Sequence, residues 1–314
     1  MQGTKPRVSI GLPVYNGATY IRTSLDSLLE QTFGDFELIV CDNDSTDDTE
    51  KICREYALRD TRIRYVRNPV NLGGPRNFNR VFELAVADYF KWSTADDFWG
   101  KEMLAQAVAV LDAHPDVVLC YPKTVLCDAS GQPLENYEDG LHLMEDRAEE
   151  RFLRLVMTIG LSHQHLGLIR SAALRRTALL ADHLSSDINL LAELTLYGKF
   201  YELPDRMFFR RFHPESSSWD RHDMKRQLAY YDPLRTIGLR RHKWHACMAF
   251  LTAIRRGPLG WKEKIRLYER VLRMMYWRRA ELLWDLAEER RWFSRGSRGQ
   301  SLPGAAQGSP SDRP

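Results

Sequence analysis

The chain has 314 residues, of which 44% are hydrophobic and 11% aromatic, so it can bury a sizeable core and is not a disordered polypeptide. Its formal net charge of +3 argues against a dedicated nucleic-acid-binding protein, although Lys and Arg are concentrated between residues 210 and 298. The sequence contains no secretory signal and no apolar stretch of about 18 residues, and its five cysteines include no Cys-x-x-Cys pair. These features predict a cytoplasmic protein without a membrane-spanning helix.

Alternating strands and helices are predicted over the first 130 residues. Short apolar runs, typical of strands in a parallel sheet, occupy residues 7–12, 36–41, 63–66, 89–94 and 116–121. Helical spacing of apolar residues follows the first run, Pro75 marks the start of a later helix, and residues 101–113 predict another. Repeated units of this length predict a parallel sheet with helices on both faces.

The second half of the chain is mixed and then helical. We predict a hairpin turn at 125–134, helices at 147–159 and 186–197, and strands at 166–170 and 206–212. A long helix is predicted to begin near Trp261, with a mostly apolar stripe formed by Ile265, Tyr268, Leu272, Met275, Leu282 and Leu286. Residues 294–314 are rich in Gly, Ser, Pro and Gln, which predicts a disordered tail.

Polar residues follow the predicted strands, at the edge where such a sheet binds its ligands. The first strand is followed by PVYN (13–16), which is not the Gly-x-Gly-x-x-Gly of dinucleotide-binding enzymes and offers an aromatic ring to a base instead. A nucleotidyltransferase would need a glycine-rich, basic loop at that place. Asp42 follows the second strand, where its carboxylate can accept a hydrogen bond from a base or a ribose. Asn71 lies in the turn NLGGP, which turn chemistry alone would explain.

Two adjacent carboxylates, Asp96 and Asp97, follow the fourth strand. They repel each other unless a cation or hydrogen-bond donors lie between them. Mg²⁺ and Mn²⁺ bind to enzymes through one or two carboxylates together with the oxygens of a diphosphate. The alternative is that Asp97 only caps the helix that follows.

The motifs PVYN, CDNDSTDDT, NLGGPRNFN and KWSTADDFW resemble, in order and spacing, those of the family 2 glycosyltransferases over roughly the first 125 residues. SDINLL (186–191) and RRFHPESSS (210–218) are similar to later segments of that family. The resemblance implies a GT-A type α/β fold: a Rossmann-like, mostly parallel sheet with flanking helices, here followed by a C-terminal helical extension. We therefore predict a glycosyltransferase domain at 1–215, with a nucleotide-binding half at 1–125 and an acceptor-binding half at 126–215, and a basic helical region at 219–293.

The resemblance further implies an inverting enzyme that moves a sugar from a nucleoside-diphosphate sugar to a hydroxyl group of a glycan, a glycolipid or a small glycoside. Asp187 would be the catalytic base. Asp96 would hold Mn²⁺ or Mg²⁺, with Asp97 and His213 as further candidate ligands. The residues that would bind the nucleotide are Pro13, Tyr15, Asn16, Asp42, Asn71, Arg76 and Asp96.

Two positions depart from the family pattern. Thr94 stands where the first acid of Asp-x-Asp is usual, and Phe78 stands where an arginine is common, which leaves Arg76 or Arg80 for that task. The alternative function is therefore a nucleotide-sugar-binding protein of the same fold without catalysis.

Three histidines have alternative interpretations. A lone histidine such as His213 is more often a structural hydrogen-bonding residue than a ligand. His163 and His165 would share one face if that segment is extended, where they could line the acceptor site.

Tryptophans alternate with arginines in the predicted C-terminal helices. We expect the apolar stripe to pack on the catalytic domain while the arginines stay in solvent. The alternative is that these helices lie on an anionic membrane, near a lipid-linked acceptor, which would make the protein peripheral to the inner face of the membrane.

Overall fold

The computed structural model describes residues 5–214, 216, 223–231, 233 and 242–286. Over these residues the strands are β1 (Val8–Val14), β2 (Phe36–Asp42), β3 (Ile63–Arg67), β4 (Tyr89–Trp92), β5 (Phe98–Trp99), β6 (Val117–Cys127), β7 (Pro133–Tyr137), β8 (Leu168–Arg170) and β9 (Lys199–Arg211). The helices are α1 (Ile21–Leu29), α2 (Thr49–Arg59), α3 (Gly74–Glu83), α4 (Met103–Ala113), α5 (Ala148–Thr158), α6 (Ser171–Leu174), α7 (Ser186–Thr195), α8 (Met224–Tyr231), α9 (His242–Arg256) and α10 (Trp261–Trp277). A 3₁₀ turn covers His163–Leu166.

The described strands form a single sheet in the order β3-β2-β1-β4-β8-β6-β9-β5, and β7 pairs with β6. The first four strands along the chain pair with one another in parallel, and β6 pairs with β9 in parallel. By contrast, β8 is antiparallel to its neighbours β4 and β6, and β5 is antiparallel to β9. The predicted fold class, an α/β protein with a mostly parallel sheet and C-terminal helices, is confirmed.

The register of β1 brings three strand ends to one edge of the sheet. Gly11 lies opposite Ile39 of β2 and Trp92 of β4, so the turns after these strands are neighbours. Every residue of β1 is buried, as expected when helices cover both faces of a parallel sheet. A Cβ atom at Gly11 would lie 2.6 Å from Cγ2 of Val81, so glycine at this position lets α3 approach β1 closely.

In the second half, the predicted hairpin is present as the turn between β6 and β7. The predicted strand at 206–212 is longer than expected, because β9 already begins at Lys199 and pairs with β6. Residues 163–166 form a 3₁₀ turn, so the extended segment that would have put His163 and His165 on one strand face is absent, although both histidines line the cavity described below.

The C-terminal helices are attached to the sheet domain through α9. On α7, the amide of Asn189 donates to the carbonyl oxygen of Ala246 in α9 at 3.0 Å, and the rings of Phe152 and Phe250 meet edge to face at 5.7 Å. The first contact connects α9 to α7, whose first turn contains Asp187, and the second connects α9 to α5.

Helix α10 begins at Trp261 as predicted, and its predicted packing stripe is confirmed in part. Tyr268 and Met275 of that stripe pack against the core, and Leu282 is buried. Leu267 and Val271 are buried, whereas Ile265 and Leu272, which belong to the predicted packing stripe, are 56% and 54% exposed. None of the helices in the described ranges is both long and apolar enough to cross a membrane. The predicted tail at 294–314 lies outside the described residues, and the division into domains stays a prediction.

Candidate active site

A cavity of about 650 Å³ lies at the edge of the sheet where β1, β2 and β4 end. Its size is in the range of pockets that hold small ligands. One wall consists of the turns after these strands, and we call it the strand-end wall. A second wall consists of the 3₁₀ turn, the start of α7 and the end of β9, and we call it the α7 wall. Of the predicted site residues, the cavity is lined by Pro13, Tyr15, Asn16, Asn71, Asp96, Asp97, Asp187 and His213.

The turn after β1 presents an aromatic ring to the cavity. Asn16 has a left-handed backbone conformation, with φ of 51°, which asparagine tolerates better than most residues. Two hydrogen bonds hold this conformation: the N–H of Asn16 donates to Oγ of Ser45 at 2.9 Å, and the N–H of Thr46 donates to Oδ1 of Asn16 at 2.8 Å. Tyr15 remains 49% exposed on the cavity wall, where its ring can stack against a planar group.

Asp42 is not part of the cavity lining, in contrast to the prediction. Its side chain is fully buried, and its two oxygens already accept hydrogen bonds from within the protein. Oδ1 accepts the N–H of Ser45 at 2.8 Å, while Oδ2 accepts the hydroxyl of Tyr65 at 2.7 Å and an N–H of Arg67 at 3.3 Å. The side chain of Asp42 thus links β2 to β3 through hydrogen bonds.

Asn43 lies on the cavity wall in place of Asp42. Its Nδ2 donates to Oδ1 of Asn71 at 2.8 Å and its Oδ1 accepts the N–H of Leu72 at 2.9 Å, so it fixes the NLGGP turn. The alternation of side chains along a strand could have indicated this exchange, because consecutive residues point to opposite faces.

Arg76 does not line the cavity. Its guanidinium forms an ion pair with Asp182 at 2.9 Å, and the neighbouring Asn79 donates to the carbonyl oxygen of Leu180 at 2.8 Å. Arg76 therefore connects the first turn of α3 with the loop that leads into α7, which holds the two walls of the cavity together.

The glycine pair of the NLGGP turn makes room for α8. Gly73 has φ of 88°, a conformation that favours glycine. A Cβ atom at Gly74 would collide with the ring of Tyr230, which also lines the cavity. These two glycines allow the last turn of α8 to contact the first turn of α3.

Asp96 and Asp97 differ in environment although they are adjacent. Asp97 is 5% exposed and accepts the hydroxyl of Thr94 at 2.6 Å and the N–H of Arg211 at 2.8 Å. Burial, followed by the charge of Asp96, raises the pKa of Asp97 above its usual range. Asp97 is not a helix cap, since α4 begins only at Met103.

Asp96 remains partly exposed and pairs with His213. Its Oδ2 lies 3.0 Å from Nε2 of His213, whose Nδ1 is buried without a hydrogen-bond partner among the described residues. Arg211 holds the backbone of Asp96 in place by donating its Nε–H to the carbonyl oxygen of Asp96 at 2.9 Å.

The spacing of Asp96 and His213 fits two ligands of a divalent cation whose remaining coordination positions are filled by a bound substrate and water. Two neighbouring ligands at about 2.1 Å from an octahedral ion are separated by about 3 Å, which is the spacing seen here. The described residues contain no group of three or more acidic, histidine or cysteine side chains that could hold a metal ion. Such an ion would therefore rely on diphosphate oxygens and water for its remaining ligands.

On the α7 wall, Asp187 lies in the first turn of α7, where the positive end of the helix favours a carboxylate. Its Oδ2 accepts a short hydrogen bond from the hydroxyl of Ser162, and its Oδ1 accepts the N–H of Ile188 at 3.0 Å. Ser162 and Ser185 both have left-handed backbones, with φ of 54° and 62°. These two strained residues, on either side of the carboxylate, fix its position.

The 3₁₀ turn adds two histidines to this wall. Burial lowers the pKa of His165, and its Nδ1 lies 2.6 Å from the carbonyl oxygen of Ser162, so the neutral ring donates there. His163 lies between Oγ1 of Thr124 at 3.0 Å and a guanidinium nitrogen of Arg210 at 2.5 Å. Ser162 and Arg210 could not be identified from the sequence, because their positions depend on how the turn packs against β6 and β9.

Comparison with known proteins gives relatives that are similar in sequence. EpsE of Bacillus subtilis, a proposed glycosyltransferase, is 33% identical over 110 residues, which are 35% of this chain and 40% of EpsE. TuaG of Bacillus subtilis, proposed as a glycosyltransferase of teichuronic acid biosynthesis, is 28% identical over 202 residues, 63% of this chain and 77% of TuaG. The match to EpsE thus spans less than half of that protein.

Solved structures share the fold. TarS (1–349) of S. aureus in complex with UDP-GlcNAc superposes with a TM-score of 0.63 at 19% identity, covering 86% of this chain and 72% of that one. A mannosyltransferase of Pyrobaculum calidifontis in complex with GDP-Man and Mn²⁺ superposes with a TM-score of 0.55 at 19% identity, covering 95% and 77%. At this identity the likeness concerns the fold. The profile of the family named Glycosyl transferase family 2 matches residues 9–178, which is more than half of the chain, and the protein belongs to that family.

Proposed function

We propose that this protein is an inverting glycosyltransferase that moves a sugar from a nucleoside-diphosphate sugar to a hydroxyl acceptor. One observation carries the proposal: Asp96, which follows β4, and Asp187, in the first turn of α7, line the same cavity. A displacement at the anomeric carbon needs a base on one side of the sugar and charge stabilisation of the leaving diphosphate on the other. Asp187 and Asp96 would perform these two tasks.

In the proposed reaction, the acceptor oxygen forms a bond to the anomeric carbon while the bond to the diphosphate breaks. Oδ2 of Asp187 takes the hydroxyl proton, and Ser162 holds that carboxylate in place through its hydrogen bond. Positioned proton transfer of this kind contributes about 10²–10⁴-fold to a rate.

The leaving diphosphate would lie against the strand-end wall. Asp96 and His213 would hold a divalent metal, Mn²⁺ or Mg²⁺, which when bound neutralises negative charge on the diphosphate. Tyr15 and Asn16 would frame the nucleoside beside Asn43 and Asn71, which line the same wall.

The acceptor is proposed to be a glycan or a lipid-linked saccharide in polysaccharide synthesis. TuaG, which the chain matches over 63% of its length, supports this proposal through the teichuronic acid biosynthesis in its name. A cytoplasmic location is proposed because all five cysteines are unpaired and buried, which fits a reducing compartment.

A panel of UDP-, dTDP- and GDP-sugars, including UDP-GlcNAc and GDP-Man, tests the donor. A ligand that binds only the folded state raises its stability by about 2.7 kcal/mol at 100 times its dissociation constant. We expect one nucleotide class to raise the Tm in the presence of Mn²⁺ and to lose its effect with EDTA. The same donor should be hydrolysed slowly. Tight binding without hydrolysis or transfer would instead assign the protein to the non-catalytic alternative, which the threonine at position 94 makes worth testing.

A further inference from the structure

Helix α10 exposes a line of large apolar side chains. Trp261, Ile265, Leu272 and Tyr276 are each more than half exposed, and their spacing puts them on one side of the helix. Soluble proteins rarely expose a continuous apolar surface of this kind unless it binds something. The buried residues Leu267 and Val271 belong to another face, so the packing of α10 on α9 does not use this line.

Basic side chains border the apolar line. Residues 261–277 contain five lysines and arginines and only two acidic residues. Lys262, Arg270 and Arg273 are exposed, and Arg270 and Arg273 have no ion-pair partner in the part of the chain that the structure describes. At 100° per residue, Lys262 and Arg273 lie beside the apolar line on the side away from the buried face, with the exposed Glu269 between them and the line, and Arg270 lies further round the helix next to Arg273. We call the apolar line together with these cations the outer face of α10.

The exposed apolar residues continue past α10. Residues 279–286 are again helical, and Leu283 and Trp284 are 63% and 55% exposed. Beyond the described residues, the sequence continues with further basic and aromatic residues, including Arg290, Arg291 and Trp292.

We propose that the outer face of α10 binds the surface of an anionic lipid bilayer. Tryptophan and tyrosine rings favour the boundary between head groups and acyl chains, and lysine and arginine next to them contact the lipid phosphates. A second copy of this chain is a poorer partner, because pairing two outer faces would bring like charges together. The combination of exposed rings, aliphatic side chains and unpaired cations is the arrangement that an anionic membrane surface complements.

The proposed contact lies two helices away from the cavity. Helix α10 packs on α9, and α9 packs on α7, whose first turn contains Asp187. A bilayer bound at the outer face would therefore be held on the side of the molecule that bears the α7 wall. That connection to a lipid-linked acceptor rests on the proposed function, whereas binding to lipid does not.

Sedimentation of the full chain with vesicles tests the proposal, using phosphatidylcholine with 30% phosphatidylserine and phosphatidylcholine alone. Each basic residue near an anionic surface contributes about fivefold to partitioning, so Arg270→Gln/Arg273→Gln should weaken binding roughly 25-fold. A matched variant on α2, Lys51→Gln/Arg59→Gln, changes the net charge equally and should bind like the wild type. Trp261→Ser/Tyr276→Ser should also weaken binding, in contrast to the control Leu58→Ser/Met157→Ser, which removes exposed apolar residues elsewhere.

The variants replace exposed residues, so unchanged Tm values should accompany these losses. Equal binding to the two kinds of vesicle, or equal losses in the α2 control, would overturn the proposal. So would a dimer in sedimentation velocity that the α10 variants abolish, since it would assign the outer face to a second copy. Binding to a mixed-sequence oligonucleotide without binding to vesicles would overturn it as well. Because no donor or acceptor is present, failure here would leave the proposed transferase activity intact.

Discussion

The two walls of the cavity are built differently. The strand-end wall consists of turns that directly follow parallel strands, and their position follows from the register of the sheet. The α7 wall is assembled from segments far apart in sequence, around 162, 187 and 210, and it contains two serines in left-handed conformations. The strand-end wall therefore depends on local pattern, whereas the α7 wall depends on tertiary packing. This difference predicts that substitutions in the two walls affect different properties.

The largest effect is expected at the base. Asp187→Asn should reduce turnover about 10²–10⁴-fold while the affinity for the donor stays unchanged, because the amide cannot accept the acceptor proton. Steady-state kinetics and calorimetric titration of the donor would separate the two quantities. Ser162→Ala, which keeps the carboxylate but removes its hydrogen bond, should give a smaller loss of turnover. Equal losses of donor affinity and turnover in Asp187→Asn would contradict the assignment of the base.

The support of the α7 wall can be tested with two leucines of α10. Leu267→Ala should lower the free energy of unfolding by about 2–5 kcal/mol, since its side chain is fully buried. Leu272→Ala, at an exposed position of the same helix, should change it by less than about 0.5 kcal/mol. Urea denaturation measures both. A larger loss from Leu272→Ala would mean that α10 packs with the stripe predicted from the sequence.

On the strand-end wall, Asp96→Ala should remove the stabilisation that the donor gives in the presence of Mn²⁺, which is about 2.7 kcal/mol at 100 times the dissociation constant. The measurement is the Tm with and without donor and Mn²⁺. An unchanged Tm increase in the variant would remove Asp96 from the metal site.

A further test concerns Asp42. Asp42→Asn should lower the free energy of unfolding by about 1–3 kcal/mol, because the amide would face the donors of Tyr65 and Arg67. Donor affinity should change little. Asp44→Asn, which removes only one half-exposed ion pair with Arg67, should cost less than about 1 kcal/mol. A loss of donor affinity in Asp42→Asn without a loss of stability would restore Asp42 to the nucleotide site.

Much of the fold was predictable because buried parallel strands leave a clear signal. The runs that became β1 and β2 are apolar almost throughout, since helices cover both faces of the sheet. The face with which α10 packs was predictable only in part, since Tyr268 and Met275 of the predicted stripe pack on the core but Ile265 and Leu272 do not. Leu267 and Val271 form one apolar line and Ile265 and Leu272 form another, and periodicity alone does not distinguish them.

The same limit applies to the candidate site. The family motifs led to Tyr15, Asn16 and Asp96, and the structure places these residues on the cavity. They did not reveal that the side chain of Asp42 is buried away from the cavity, whereas its neighbour Asn43 lines the cavity. Nor did they reveal Ser162, because a left-handed serine contacting a helix 25 residues later leaves no local pattern.

The contact between Gly74 and Tyr230 has a consequence for the breadth of the cavity. Since even a methyl group at position 74 would meet the tyrosine ring, α3 and α8 approach each other as closely as backbone and ring permit. Glycine at position 74 thus permits this close approach, and a larger residue there would displace the tyrosine ring. The dimensions of the pocket can therefore be altered from an uncharged backbone position in its lining, which gives protein engineers a way to change its shape while its charged groups stay the same.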